Sequence, residues 1–269
     1  MKQKQTTIRD ALYEAPGPKA RKRIAVATVL SILALAALVI AVIRRFAENG
    51  QLDARYWSIF TRYTTWRFLG YGLVGTMTAA LTAGIITFFA GLLLMMGRIS
   101  SFKVLRALCT VLIEFSRGVP TLLFIYFFLL VVPQFGIRLP ALWKVAAPVA
   151  ISACGVVAEV LRSGVNAVPK GQTEAALSLG MRRSSVFFKI IFPQALRFVV
   201  PALISELVIV LKDTTFAYIV SYSDLMQNAR VLISNYDALL SVYLVTAIIY
   251  ILINYILNKI SVAAARRTR

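Results

Sequence analysis

The sequence predicts an all-α, polytopic membrane protein with about six transmembrane helices. Only 15% of the residues are charged, whereas a soluble domain usually carries about 25%. The chain is 59% hydrophobic, with a mean hydropathy of +0.77. Several stretches of about 20 residues contain few or no charges, which is the length that a helix needs to cross a bilayer.

Six stretches meet this criterion, and each is predicted to be one membrane span. The second is long enough that we expect it to tilt or to lie partly along the interface. The predicted spans are Ile24–Ile43, Phe68–Met96, Leu108–Val132, Val145–Val165, Phe198–Val220 and Leu239–Leu257.

The distribution of lysine and arginine predicts the orientation of the chain. With the N-terminus in the cytoplasm, the inner segments hold 19 of these residues and the outer segments hold 8. This arrangement predicts a multi-pass protein of the cell membrane with both termini cytoplasmic. It makes residues 1–23 and 261–269 cytoplasmic tails and 24–43 an uncleaved transmembrane helix, and it places residues 166–197 inside the cell.

The composition excludes several functions. The net charge of +19 comes from basic residues that flank apolar spans, so we expect contact with anionic membrane lipid and no binding of nucleic acid. The chain has no histidine, and Cys109 and Cys154 both fall in predicted spans, where they are expected to pack as small residues. We therefore predict no metal site, no catalytic residues and no enzyme activity in this chain.

The most polar part of the hydrophobic region is Pro169–Arg197, called the 169–197 segment below. It is predicted to form two short helices separated by Gly180, because glycine often ends a helix. Ala175, Ala176 and Leu179 are predicted to share one face of that helix. The second helix is expected to begin at Ser184 or Ser185 and to be interrupted at Pro193 before the fifth span.

Two pairs of opposite charges lie in or near the predicted spans. Glu114 and Arg117 are three residues apart, as are Glu159 and Arg162, so each pair shares a helix face. Charges inside a membrane must pair or face water. For the first pair we favour a structural ion pair over lining of a transport pathway.

A third group of charges lies in the fifth span. Glu206 and Asp213 are seven residues apart and hence on one helix face, and Lys212 is about 24 Å along the helix from its inner end. The three residues could line a polar cavity, or they could form an interhelical ion pair that fixes packing. The sequence leaves both interpretations open.

The 169–197 segment also carries a resemblance to a known family. Glu174-Ala-Ala176, Gly180 and the run Ile190–Pro193 resemble the EAA loop in permease subunits of ATP-binding-cassette (ABC) importers. Other segments resemble the polar amino acid branch of these permeases or, after the first span, the permeases of Gram-positive glutamate systems. They are Glu114–Pro120, Val168–Glu174, Leu211–Thr214 and Arg45–Asp53.

The resemblance implies a type I ABC importer permease fold, with a five-helix core at 66–260 that contains a coupling loop at 166–197. It implies that this loop docks on a separate ATPase subunit, one of two in the transporter, which hold ATP and Mg²⁺. A second permease subunit, related or identical, would complete an alternating-access pathway fed by an extracellular substrate-binding protein. The coupling residues would be Glu174, Ala175, Ala176, Gly180 and Pro193, and the candidate pathway residues Glu114, Arg117, Glu159, Arg162, Glu206, Lys212 and Asp213.

The chain itself has no G-x-x-x-x-G-K-[ST] phosphate loop, which agrees with ATP hydrolysis on another subunit. Glutamate is the favoured substrate. Ser116 and Val119 depart from the branch pattern, which usually has an aromatic residue and a threonine there. The alternative is a secondary amino acid transporter driven by an ion gradient, but the matching halves common in that class are not evident in the sequence.

Overall fold

A computed structural model describes residues 17–267, with side chains described to residue 263. The chain divides into two units, residues 1–54 and 55–269. The first contains helix α1 (Pro18–Glu48), which has proline at its start. The helix extends beyond the predicted span 24–43 at both ends, so the basic residues 18–23 belong to it. The rest of the predicted N-terminal tail, residues 1–16, lies outside the described residues, as does the end of the C-terminal tail.

The second unit is a bundle in which small residues allow helices to pack closely. It begins with α2 (Ala54–Trp57), a 3₁₀ turn (Ser58–Thr61) and the 36-residue helix α3 (Tyr63–Arg98). Helix α3 packs along α6 (Ala141–Ala167), the helix with the largest buried share among the candidate spans. At Gly91, a Cβ atom would lie 3.0 Å from the Cys154 carbonyl oxygen, so glycine is needed for this approach.

The third predicted span is a broken pair of helices and not one continuous helix. Helix α4 (Lys103–Gly118) and helix α5 (Thr121–Tyr126), which continues through irregular turns to Phe135, meet at an angle of 96°. The break has a local cause. Pro120 lacks an N–H group and restricts the residue before it, and Val119 accordingly adopts an extended conformation with φ −100° and ψ 125°.

The fifth predicted span is longer than expected. Helices α7 (Lys170–Ser178) and α8 (Arg183–Val186) are followed by a π-helical turn (Phe187–Ile191), α9 (Phe192–Asp213) and a 3₁₀ helix (Thr214–Val220). Residues Arg183–Val220 form one apolar run. The predicted interruption at Pro193 is absent from this described run, because the wide π-helical turn precedes Pro193 and accommodates it near the start of α9.

Two last helices complete the chain, α10 (Leu225–Tyr236) and α11 (Leu239–Arg267). Helix α10 is joined to the N-terminal part of α3 by several hydrogen bonds. The Leu225 amide donates to Thr76 Oγ1 at 3.0 Å, and the Asn228 side-chain amide donates to the Phe68 carbonyl oxygen at 2.7 Å. Among the described residues, five helices could cross a membrane, or six spans if α4 and α5 are counted as one. The predicted all-α polytopic fold is confirmed.

Candidate functional site

The 169–197 segment folds as the predicted helical hairpin at one end of the bundle. Gly180 has φ +76°, a left-handed conformation that favours glycine. The Met181 amide donates to the Ala176 carbonyl at 3.2 Å, and the Gly180 amide donates to the Leu177 carbonyl at 2.9 Å. These two bonds form a Schellman motif, which ends α7.

The side chains of this hairpin divide into a buried side and an exposed side. Ala176 is buried against Val168, Val186 and neighbouring residues of the bundle. Glu174 and Ala175 are exposed, and Leu179 is 83% exposed. The prediction that Ala175, Ala176 and Leu179 share one face was therefore wrong: Leu179 lies past the end of α7. The sequence gives no signal for this exposure, because Leu179 lies between Ser178 and Gly180 at the end of an amphipathic helix.

Above this hairpin, the two predicted charge pairs form one network. Arg162 donates to Glu159 at 2.7 Å, and Arg117 lies 3.4 Å from Glu114. Arg98, the last residue of α3, contacts both carboxylates, pairing with Glu159 and lying 3.6 Å from Glu114. The sequence gives no signal for this role of Arg98, since a basic residue at the end of a span is already explained by topology. The network ties together α3, α4 and α6.

A second polar group lies deeper in the bundle, where the broken span meets α9. The Thr121 hydroxyl, at the first position of α5, donates to the Asp213 carboxylate at 2.8 Å. Thr121 Oγ1 also lies 2.8 Å from Ser152 Oγ of α6. The break at Pro120 thus places a hydroxyl beside a carboxylate inside a span. Neither Thr121 nor Ser152 was singled out from the sequence.

The structure separates Lys212 from Glu206, which were predicted to line one cavity together with Asp213. Glu206 is 8% exposed and lines a mostly apolar cavity of about 390 Å³ between α3 and α9. Lys212 is exposed and lines a different groove, between α9 and α11, with Ser205, Asn254 and Asn258. Within the described part of the chain, Lys212 forms no ion pair with a carboxylate. A cation within a span that lacks an intramolecular partner requires water, a ligand or another subunit.

The cysteines and potential metal ligands add no further site. Cys109 and Cys154 are free and buried. Among residues 17–267, no group of three or more cysteine, aspartate or glutamate side chains could hold a metal ion.

Comparisons with known proteins agree on the family. The sequence model of the family described as "Binding-protein-dependent transport system inner membrane component" matches residues 88–269. The glutamate transport system permease protein GluD of Corynebacterium glutamicum is 35% identical over 226 residues, which are 82% of each chain. The probable glutamine ABC transporter permease protein GlnP of Bacillus subtilis is 34% identical over 203 residues, covering 74% of this chain and 91% of that protein.

Solved structures show the same fold. A chain in the crystal structure of an amino acid ABC transporter with histidines superposes with a TM-score of 0.72 at 30% identity, covering 79% of this chain and 98% of that one. A chain of the methionine ABC transporter MetNI in an inward-facing conformation gives a TM-score of 0.66 at 16% identity, covering 77% and 99%. The second likeness concerns the fold alone.

Proposed function

The chain belongs to the family of binding-protein-dependent transport system inner membrane components, and from this premise we propose that it is the permease subunit of an ATP-driven importer of polar amino acids. Glutamate is the favoured substrate, because the relative with 35% identity is named a glutamate permease. The relative with 34% identity is named for glutamine, which keeps the proposal to the polar amino acids as a class. No specific observation favours the alternative of a secondary transporter.

The proposal includes the rest of the transporter. Two separate ATPase subunits bind ATP and Mg²⁺, and one of them docks on the 169–197 segment of this chain. A second permease subunit completes the pathway, and an extracellular substrate-binding protein delivers the amino acid. Both termini then face the cytoplasm. The positive-inside bias supports this orientation, because it places the 169–197 segment in the cytoplasm with the ATPases.

One observation supports the proposed coupling between this chain and the ATPase subunit. The hairpin leaves Glu174, Ala175 and Leu179 exposed at its tip while Ala176 anchors it to the bundle. An apolar side chain that is 83% exposed beside a carboxylate and a small residue suits burial in a groove of another protein. The anchored side then transmits motion of that partner to α6 and α9.

The candidate pathway has two parts in this proposal. Asp213, with Thr121 and Ser152, provides a polar site inside the bundle, and Glu206 lines the cavity beside it. Lys212 provides a cation in the groove between α9 and α11. The charge network lies nearer the coupling hairpin than these residues do. For this network we favour a structural role over lining of the pathway. Its members are Glu114, Arg117, Glu159, Arg162 and Arg98.

Reversal of the Glu174 charge tests the docking claim. We expect Glu174→Arg to abolish co-purification of the ATPase subunit with the permease and to reduce uptake, because the exposed carboxylate lies at the proposed contact. Asp53→Arg, which also reverses an exposed carboxylate, is the matched control and should leave both unchanged. Undiminished co-purification of the Glu174→Arg variant with the ATPase would show that this segment is not the docking site.

A further inference from the structure

The end of the second unit opposite the 169–197 segment carries a surplus of positive charge. Loops and helix ends there hold six basic residues and two carboxylates, Asp224 and Asp237. Asp224 is fully buried, whereas Asp237 is exposed. The basic residues are Arg55, Arg62, Arg67, Arg138, Lys144 and Arg230.

Arginines at the two ends of the bundle have different partners. Toward the 169–197 segment, Arg98, Arg117 and Arg162 pair with glutamates. At the opposite end, arginines lie over tyrosine rings. The distances from the guanidinium carbon to the ring centroid are 4.4 Å for Arg55 over Tyr56, 5.6 Å for Arg62 over Tyr236, 4.6 Å for Arg230 over Tyr218 and 5.4 Å for Arg67 over Tyr71.

Three of these pairs surround α10, and we call them the arginine–tyrosine face: Arg55, Arg62 and Arg230 with Tyr56, Tyr236 and Tyr218. Tyr56 packs in the same apolar cluster as residues of α10, Tyr236 is the last residue of α10, and Arg230 lies in its middle. Arg230 and Tyr236 are six residues apart, or about 9 Å along the helix axis. Arg230 and the tyrosine that pairs with Arg62 thus lie at the middle and at the C-terminal end of α10.

Stacking leaves these guanidinium groups able to bind an anion. Each guanidinium carbon lies close enough to a tyrosine ring for the ring to attract the cation, and an arginine carries five N–H donors in a fixed fork. Arg62 and Arg55 each direct one donor to a tyrosine hydroxyl, which leaves most of their five donors available. All three arginines are exposed. The stacking also restricts each side chain, which lowers the entropy lost when it binds a partner.

The surroundings favour a protein partner over lipid. Helix α10 is too short and polar to qualify as a membrane span, and its exposed residues beyond Arg230 are Ser234, Asn235 and Tyr236. A short helix that exposes a cation and polar side chains matches the rim of a protein–protein interface, where charge complementarity directs association.

We propose that the arginine–tyrosine face binds an acidic surface of the extracellular substrate-binding protein. This inference rests on the proposed function, which supplies the binding protein, and adds the residues and the charge of the contact. The partner surface carries aspartate and glutamate side chains that accept hydrogen bonds from Arg62 and Arg230. The attraction steers docking and weakens as salt screens it.

The test measures the affinity of the substrate-binding protein for the whole transporter. The transporter, with its ATPase and permease subunits, is placed in phosphatidylcholine nanodiscs, and binding is measured at 50 and 300 mM NaCl. We expect the double substitution Arg62→Glu and Arg230→Glu to weaken binding about tenfold or more at low salt and to flatten its salt dependence. Arg62→Gln with Arg230→Gln should give a smaller loss in the same direction.

Arg138→Glu is the matched control, since it makes the same charge change at the same end of the bundle outside the arginine–tyrosine face. An equal loss of affinity in this control would overturn the inference, because net charge alone would then account for the effect. Unchanged affinity in the double variant would overturn it too. Loss of co-purified phosphatidylglycerol in the variants, without loss of affinity for the binding protein, would also overturn the inference, because it would identify the face as a lipid site.

Uptake by the wild-type transporter separates this inference from the proposed function. If wild-type proteoliposomes import amino acid with the binding protein and the double variant binds it as tightly as wild type does, only the docking inference fails. If wild-type proteoliposomes show no uptake that depends on the binding protein, the proposed function fails and the inference falls with it.

Discussion

Arg98 shows how single residues connect helices that the sequence places far apart. It ends α3, yet its guanidinium group contacts Glu114 of α4 and Glu159 of α6. The Arg98 and Glu159 side chains are each 21% exposed, whereas Glu114 is 56% exposed. Because partly buried charges are screened less than exposed ones, the Arg98–Glu159 pair should dominate the network.

Removal of the Arg98 side chain should therefore lower the free energy of unfolding more than removal of the Arg117 side chain does. We expect Arg98→Ala to lower the free energy of unfolding by about 1–3 kcal/mol, since Glu159 keeps only Arg162 in a partly buried site. Arg117→Ala removes a pair that is about half exposed and should cost about 1 kcal/mol or less. Thermal unfolding of both variants in the same detergent compares them. Equal losses would contradict the central place given to Arg98.

Asp224 is a buried carboxylate at the opposite end. Its Oδ1 accepts a hydrogen bond from the Gln227 amide at 2.7 Å and caps α10, while Oδ2 is buried with the Tyr250 hydroxyl beside it. Burial raises the pKa of Asp224 from 3.8 to about 6, outweighing the backbone hydrogen bonds that lower it. The carboxylate is thus easier to protonate in the folded protein than in the unfolded chain.

This raised pKa predicts how stability changes with pH. Between pH 4 and 6 the folded state binds more protons than the unfolded state, so Asp224 makes folding less favourable as pH rises through this window, by about 1–3 kcal/mol in all. Asp224→Asn keeps a good helix cap without the charge. The melting temperature of wild type relative to this variant should therefore rise as pH falls from 7 to 5. Parallel melting curves against pH would contradict the assignment.

At the scale of helices, the 169–197 hairpin depends on one backbone conformation. Gly180 has φ +76°, and a Cβ atom added there would meet no atom within 4 Å. A substitution at this position is therefore opposed by backbone strain and by no side-chain clash. This makes Gly180 a position at which the shape of the hairpin can be altered without touching its surroundings.

Gly180→Val should distort the hairpin, because a β-branched residue strongly disfavours the left-handed region, by about 1–3 kcal/mol. Gly180→Asn is the matched variant, since asparagine tolerates this conformation. We expect the valine variant to lose ATPase co-purification and uptake and the asparagine variant to retain most of both. Equal behaviour of the two variants would show that the turn geometry is not required for coupling.

The helices also show what the sequence could and could not predict. The hairpin was predictable because Gly180 and Pro169 are local signals that act on their own backbone. The sharp break at Pro120 was not, since Pro148 and Pro201 lie inside continuous helices of the same bundle. Whether a proline breaks a membrane helix depends on the neighbouring helices that satisfy the freed carbonyl groups, and a single sequence does not contain that information.

The candidate site was predictable to a similar extent. Spacing alone paired Glu159 with Arg162, because residues three apart meet on a helix. The separation of Lys212 from Glu206 and Asp213 follows from which helices pack on each side of α9, and the contact of Thr121 with Asp213 follows from the break before α5. Both features depend on packing between distant parts of the chain.

At the scale of the whole bundle, the two ends are suited to different partners. One end presents a hairpin with an exposed leucine and a carboxylate, below a network of paired charges. The other presents arginines stacked on tyrosines around α10. Between them, hydroxyl groups and carboxylates lie within spans. This difference between the two ends fits a permease that is driven by a partner at one face and receives substrate at the other.

Uptake in proteoliposomes tests this account most directly. The permease subunits and the ATPase subunits are reconstituted, the substrate-binding protein is added outside, and accumulation of labelled glutamate is measured with and without ATP inside. We predict accumulation that requires ATP, the ATPase subunit and the binding protein, and that is lost with Glu174→Arg but retained with Asp53→Arg. Accumulation driven by an ion gradient without the ATPase subunit would contradict the account.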